Sequence, residues 1–179
     1  MVIISYLTLI LHPFYGIVLI MQEKFMKEAL KEAKKAYDKE EIPVGAVIVK
    51  DGKIIARGHN VKEVKQSVTS HAELNAISKA NKKLESWRLS DCEMYVTLEP
   101  CPMCAGAIIQ SRIKKIYIGT MDEKTGACGS VLNLLEYKFN HQVEVENGIL
   151  KEECEYILKD FFKKLRDKKG KANANRENI

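Results

Sequence analysis

The chain has 179 residues, enough for one domain of ordinary size and too few for two comfortable ones. Hydrophobic residues make up 46% and charged residues 30%, a balance that excludes wholesale disorder and a collagen-like repeat. The formal charge of +5, from 29 Lys and Arg against 24 Asp and Glu, permits a polyanionic partner without requiring one.

In chain order, the first feature is an apolar segment. Met1 to Met21 contains no Lys, Arg, Asp or Glu. A span of about 20 apolar residues is long enough to cross a bilayer, so a membrane anchor is one reading. A signal peptide is a second, although no basic region precedes the apolar stretch. The favoured reading is that the true start is Met21 and residues 1–20 are a dispensable extension, because everything after Met21 reads as a soluble domain with its own helical start. On that reading no membrane partner is expected unless residues 1–20 are retained.

Gln22 to Lys39 places Phe25, Ala29, Leu30, Ala33 and Ala36 on one face at helical spacing. Pro43 opens the apolar run Val44 to Val49, and Asp51-Gly52 turns it into Lys53 to Ala56, a hairpin signal. Thr69 or Ser70 is expected to cap a helix over His71 to Lys83. Cys92 to Leu98 reads as a strand and Pro102 to Ser111 as a helix with Pro near its first position. Lys115 to Gly119 is a further strand and Gln142 to Glu146 a weaker one. Lys151 to Lys169 is a last helix, apolar at Cys154, Ile157, Leu158, Phe161 and Leu165, with a basic tail expected to fray. This alternation predicts an α/β fold with helices on both faces of a sheet.

The cysteines carry the chemistry. Cys92, Cys101, Cys104, Cys128 and Cys154 are odd in number and unevenly spaced, which predicts free thiols in a reducing compartment rather than a disulfide framework. Cys101-Pro102-Met103-Cys104 can set two thiolates on one tetrahedral ion at a helix start, where the helix dipole favours the anions. His71 offers a third ligand. Three protein ligands leave a position for water, the mark of a catalytic zinc site. Glu73, two residues beyond the histidine, is displaced around the helix and suits a proton acceptor and donor beside that water. Plainer readings stand beside this one. The Cys pair could be a redox couple, His71 a satisfied core residue, or the site a closed structural one with Cys92, Cys128 or His59 as fourth ligand. Taken jointly, His71-Ala72-Glu73 and Pro100-Cys101-Pro102-Met103-Cys104 match H-x-E … P-C-x-x-C, the signature of zinc nucleobase deaminases, adenine deaminases of the kind named next among them.

From about Phe25 to Leu165 the sequence resembles the bacterial tRNA-specific adenosine deaminases, which make inosine at the wobble position of a tRNA anticodon. The resemblance rests on Ile42 to Val47, Gly58-His59-Asn60, Thr69 to Leu74, Tyr95 to Ala107, Asp122 to Ser130 and Asp160-Phe161-Phe162. It departs at the apolar N-terminal extension and at Cys128, where alanine is more usual. The resemblance implies a cytidine deaminase-like three-layer α/β/α fold around a mixed sheet of about five strands. It assigns residues 21–165 to the zinc deaminase domain and leaves 166–179 as a basic tail.

The resemblance further implies one Zn²⁺ per chain held by His71, Cys101 and Cys104, with Glu73 as the catalytic proton shuttle. Asn60 matches a base-binding position and Asp122 one that contacts a neighbouring sugar. Ile42, Val44 and Leu98 are expected to line the base pocket. Without the resemblance, Asn60 reads as a turn residue, Asp122 as a loop aspartate and the apolar three as plain core. The implied partners are a tRNA anticodon stem-loop and a second copy of the chain, in the cytoplasm. Lys163, Lys164, Arg166, Lys168, Lys169 and Lys171, with Arg112, Lys114 and Lys115, offer phosphate contacts or simply a solvated face. The competing activities are deamination of free guanine, cytosine or a nucleotide, and zinc-stabilised RNA binding without turnover. The loop Asp122 to Ser130, with the basic C-terminal helix, argues against the first, and Glu73 against the second.

Overall fold

The computed structural model describes the backbone of residues 3–176 and the side chains of residues 18–170. Five strands, β1 (Gly45–Lys50), β2 (Lys53–His59), β3 (Cys92–Leu98), β4 (Lys115–Thr120) and β5 (Glu144–Asn147), form one sheet in the order β2-β1-β3-β4-β5. β1 runs antiparallel to β2 and to β3, whereas β3, β4 and β5 are parallel, so the sheet is mixed. The helices are α1 (Ile3–Tyr37), α2 (Lys62–Lys65), α3 (Ala72–Leu84), α4 (Pro102–Gln110) and α5 (Lys151–Arg176).

The two-residue period of the strands builds two cores. Ala46, Ile48, Met94, Val96, Ile116 and Ile118 point to one face, where α3 and α4 lie. Val47, Val49, Tyr95 and Tyr117 point to the other, against Phe25, Met26 and Ala29 of α1 and Cys154 of α5. Tyr95 and Tyr117, paired across β3 and β4, stack at 4.3 Å with an 8° interplanar angle. The expected three-layer α/β/α arrangement around a mixed five-stranded sheet is what forms.

Some boundaries differ from the sequence expectation. α1 does not start afresh at Gln22 but continues from Ile3, because Met21 to Lys24 are all good helix formers and nothing there breaks the turn. The anchor and signal-peptide readings rest on Met1 to Met21, of which residues 1–17 lie outside the described side chains; among the described residues no helix is long and apolar enough to cross a membrane. The cap of α3 is neither Thr69 nor Ser70. His71 occupies that position and makes no side-chain cap bond, its ring being turned to the cysteines. β2 runs three residues past Ala56 to His59, and a bulge falls between Ile48 and Val49. α5 continues past the expected end at Lys169 to Arg176, while the side chains beyond residue 170 lie outside the described residues.

Candidate active site

Two helix starts meet at the C-terminal end of β3. His71 is the N-cap of α3, and Cys101 is the N-cap of α4 with Pro102 in its first turn and Cys104 one turn in. Both helices therefore aim their positive dipole ends and free N–H groups at the same point, which favours anionic ligands there. His71 Nδ1 stands 3.7 Å from Cys101 Sγ and 3.6 Å from Cys104 Sγ. A tetrahedral ion with Zn–S near 2.3 Å and Zn–N near 2.0–2.1 Å requires N···S edges of about 3.6 Å, so the spacing fits. All five cysteines are free thiols, as expected. Among the described residues His71, Cys101 and Cys104 are the group able to hold a metal ion, and Cys92, Cys128 and His59 add no fourth ligand.

The electrostatics of the three groups diverge. The Cys101 thiol is lowered to about 4, first by its hydrogen bond with Cys104 and then, against burial, by that with His71. Cys104 moves the opposite way, pushed far above the thiol range by its hydrogen bond to Cys101 and by burial. The contact with Cys101 raises His71, with burial opposing. Glu73 is only 4% exposed, and burial raises its carboxyl above the usual carboxylate range.

A cleft of about 330 Å³ opens over this cluster. Asn60, Ile42, Val44, Leu98, Asp122, His71, Glu73 and Cys101 all line it, so every residue expected at the site reaches one cavity except Cys104, which is buried beneath it. Ile42, Val44 and Leu98 are cleft wall rather than plain core, with Ile42 39% exposed. Asn60 follows β2 and its amide nitrogen donates to Glu41 Oε2 and to the Ile42 carbonyl, each at 3.3 Å. The cleft continues into a wider groove of about 790 Å³ that shares Ile42, Leu98, Asp122 and Thr125 and adds Lys124, Lys159 and Phe162.

Two buried carboxylates at the cleft were not singled out in the sequence. Glu41 accepts from the Val64 N–H at 2.7 Å as well as from Asn60, tying the short helix α2 to the pocket. Glu99 binds the loop after β4. Their only signal was position, a charged residue directly beside Ile42-Pro43 and beside Pro100-Cys101. The basic run of α5 is partly committed elsewhere: Lys164 pairs with Asp160 at 3.1 Å, and Lys168 pairs with Glu40.

The family model described as MafB19-like deaminase matches residues 20–166. A tRNA-specific adenosine deaminase of Bacillus subtilis (strain 168) is 53% identical over 154 residues, covering 86% of this chain and 96% of that protein. One of Streptococcus pyogenes is 46% identical over 149 residues, covering 83% of this chain and 94% of its own. A solved structure from work on A-to-I editing by tRNA:A34 deaminases at the wobble position of transfer RNA superposes with a TM-score of 0.73 at 41% identity, covering 75% of this chain and 99% of that one. With the ligand cluster, the buried carboxylate and the α/β/α sheet alike in place, the chain belongs to the family of tRNA-specific adenosine deaminases.

Proposed function

We propose that the protein hydrolyses adenosine to inosine at the wobble position of a tRNA anticodon loop, with ammonia as the second product. The observation that carries this reading is the burial of Glu73 beside the three-ligand cluster, at the floor of a cleft of base size. A zinc ion held by His71, Cys101 and Cys104 would supply water of lowered pKa, near 7, at the open fourth position.

The chain's own groups then handle the base and the protons. Ile42, Val44 and Leu98 give the adenine apolar walls, and Asn60 presents an amide to its edge. Glu73 takes a proton from the attacking water and hands it to N1 as oxygen adds to C6. It next passes a proton to the exocyclic amine, which leaves as ammonia and restores the carbonyl of inosine. A carboxyl raised by burial suits this work, since a group that both takes and returns protons serves best with its pKa moved towards the working pH.

The adjoining groove favours a polymer over a free base. A free-base enzyme needs only the cleft, whereas here the cleft runs on into a wider channel with Lys124, Lys159 and Phe162, a cationic and aromatic lining suited to flanking nucleotides. Asp122 stands where the two spaces meet and would contact the neighbouring sugar. We assign the activity to residues 21–165, in the cytoplasm with its tRNA, and to a homodimer. Val131, Leu132, Tyr137 and Phe139, exposed apolar side chains in one stretch, support a second copy as partner.

The test is incubation with an anticodon stem-loop bearing adenosine at the wobble position, scored for inosine, beside free guanine and cytidine. Inosine from the stem-loop and no turnover of the free compounds is expected. Turnover of free guanine or cytidine with an untouched stem-loop would replace this reading with a free-base deaminase.

A further inference from the structure

Glu99 ends the segment leading from β3 to the metal-binding turn and is 3% exposed. All the hydrogen bonds its carboxylate accepts come from one loop, residues 122–130. Oε1 accepts from the N–H groups of Cys128 at 2.8 Å and Ser130 at 3.0 Å. Oε2 accepts from the N–H of Asp122 at 2.9 Å and from the Ser130 hydroxyl. The loop is folded around this group: a Cβ on Gly126 would stand 2.1 Å from Glu99 Oε2, so only glycine admits the carboxylate there. The same loop returns to the metal-binding turn, where the Ala127 N–H donates to the Pro100 carbonyl at 2.9 Å. At the loop's other end the Asp122 carboxylate is turned by the Lys124 N–H at 3.0 Å and the Thr125 hydroxyl at 2.6 Å, and both Asp122 and Thr125 line the cleft.

We infer that Glu99 is a positioning residue for the substrate: its carboxylate fixes the loop that sets Asp122 at the mouth of the cleft. The role rests on the reading of the cleft as the binding site for the wobble nucleotide and its neighbours. The physical reason is the chemistry of the acceptor. A loop held by a single isolated bridge, Cys128 to Asn133, gives the N–H groups of Asp122, Cys128 and Ser130 no backbone acceptor, and an anionic side chain satisfies all of them at once with charge-assisted bonds. Carboxylate oxygens offer about four lone-pair sites and no donor, which matches the donors supplied. Glutamine has the same shape but turns one of those oxygens into an NH₂ group. In place of Oε2 it opposes the Asp122 N–H, and in place of Oε1 it opposes those of Cys128 and Ser130. Either way donor meets donor and one end of the loop is released.

The experiment compares wild type, Glu99→Gln, Ser130→Ala, Asp122→Ala and the two double variants that combine each loop change with Asp122→Ala. The readouts are kcat and KM on the anticodon stem-loop, zinc content, and hydrogen exchange at the loop amides. Glu99→Gln should raise KM by about tenfold with kcat within about threefold and zinc unchanged, since the loss falls on positioning outside the reacting atoms. Added to Asp122→Ala it should cost little more, because both changes remove the same contact. The amides of the released end, Asp122 in one orientation or Cys128 and Ser130 in the other, should exchange at least about tenfold faster while the strands stay protected. Inosine formation by the wild type decides the functional reading by itself; the exchange rates decide the loop restraint whatever the substrate. A KM within twofold of wild type, fully additive effects, or loss of zinc with an equal fall in kcat would each overturn the inference. Should Glu99→Gln fail to fold, Ser130→Ala withdraws a single donor, and its KM effect must likewise vanish in the Asp122→Ala background.

Discussion

A Cβ on Gly58 would stand 2.1 Å from the carbonyl oxygen of Ala72, so β2 and the start of α3 meet main chain to main chain. The next atoms it would meet are the backbone nitrogen of Ala76 at 2.6 Å and the Ala76 Cβ at 3.1 Å, none of which can rotate away. This contact seats the helix that His71 precedes as N-cap and that opens with Ala72 and Glu73.

Gly58→Ala should therefore push α3 off the sheet. Overpacking of this kind costs about 1–3 kcal/mol, which lowers Tm by several degrees in a domain of this size. Because α3 carries His71, zinc affinity should fall as well. Thermal melts and a zinc-chelator competition check both effects. An unchanged Tm would mean that the two elements are free to separate without consequence.

Wild type should bind about one zinc per chain, and His71→Ala and Cys104→Ser should each lose most of it. Metal analysis of purified protein is the measurement. Cys128→Ala should retain zinc, since Cys128 lies outside the ligand group and its thiol is pushed up to about 12 by burial, helped by the nearby Glu99 charge. Full zinc in both His71→Ala and Cys104→Ser would remove the site.

Glu32 supplies a pH prediction on the opposite face. Burial pushes its carboxyl up, but hydrogen bonds from Lys35 at 2.6 Å and His59 at 2.8 Å outweigh burial and hold it below the usual carboxylate range. A carboxyl depressed in the folded state contributes stability above its unfolded pKa and loses it as pH falls through the folded one. Glu32→Gln should thus lower stability by about 1 kcal/mol at pH 7 and make almost no difference once the pH is well below the ordinary carboxylate range. Urea unfolding at pH 7 and at low pH compares the two chains; an equal deficit at both would show that Glu32 acts through packing alone.

The sheet and the grouping of His71, Cys101 and Cys104 were legible because each rests on a short-range pattern. Asp51-Gly52 between apolar runs fixes the β1–β2 hairpin, and Cys101-x-x-Cys104 at a helix start fixes half of the cluster. The paired burial of Val47 with Tyr95, and of Ile48 with Met94, follows from the two-residue period alone. Glu41 and Glu99 were not legible as site residues. Each is defined by backbone N–H groups 23 to 31 residues away, at Val64, Asp122, Cys128 and Ser130, and no local pattern announces which loop amides will need an acceptor. The start of α1 was missed for a different reason. Composition drew a boundary at Met21, whereas helix propagation depends on backbone propensity and passes through a change of polarity without a break.

Glu73→Gln separates chemistry from binding. Glutamine keeps the shape and can still hydrogen-bond, but it cannot take the water proton or return one to the leaving amine. General acid–base transfer contributes about 10² to 10⁴ in rate, and one carboxylate here serves several steps, so kcat should fall by at least that range. Zinc content should stay near wild type, because the group able to hold the ion, among the described residues, is His71, Cys101 and Cys104 without Glu73. Affinity for the anticodon stem-loop should persist too, since proteins of this kind draw RNA affinity mainly from phosphates and splayed bases, which a change at one pocket carboxyl leaves in place. The fold should, if anything, gain: burial opposes charge on Glu73, and a neutral amide relieves that penalty. Stem-loop binding, metal analysis, melting and inosine formation on the same preparation separate these outcomes. Deamination within a few-fold of wild type would take Glu73 out of the proton path, and loss of zinc would make it a ligand.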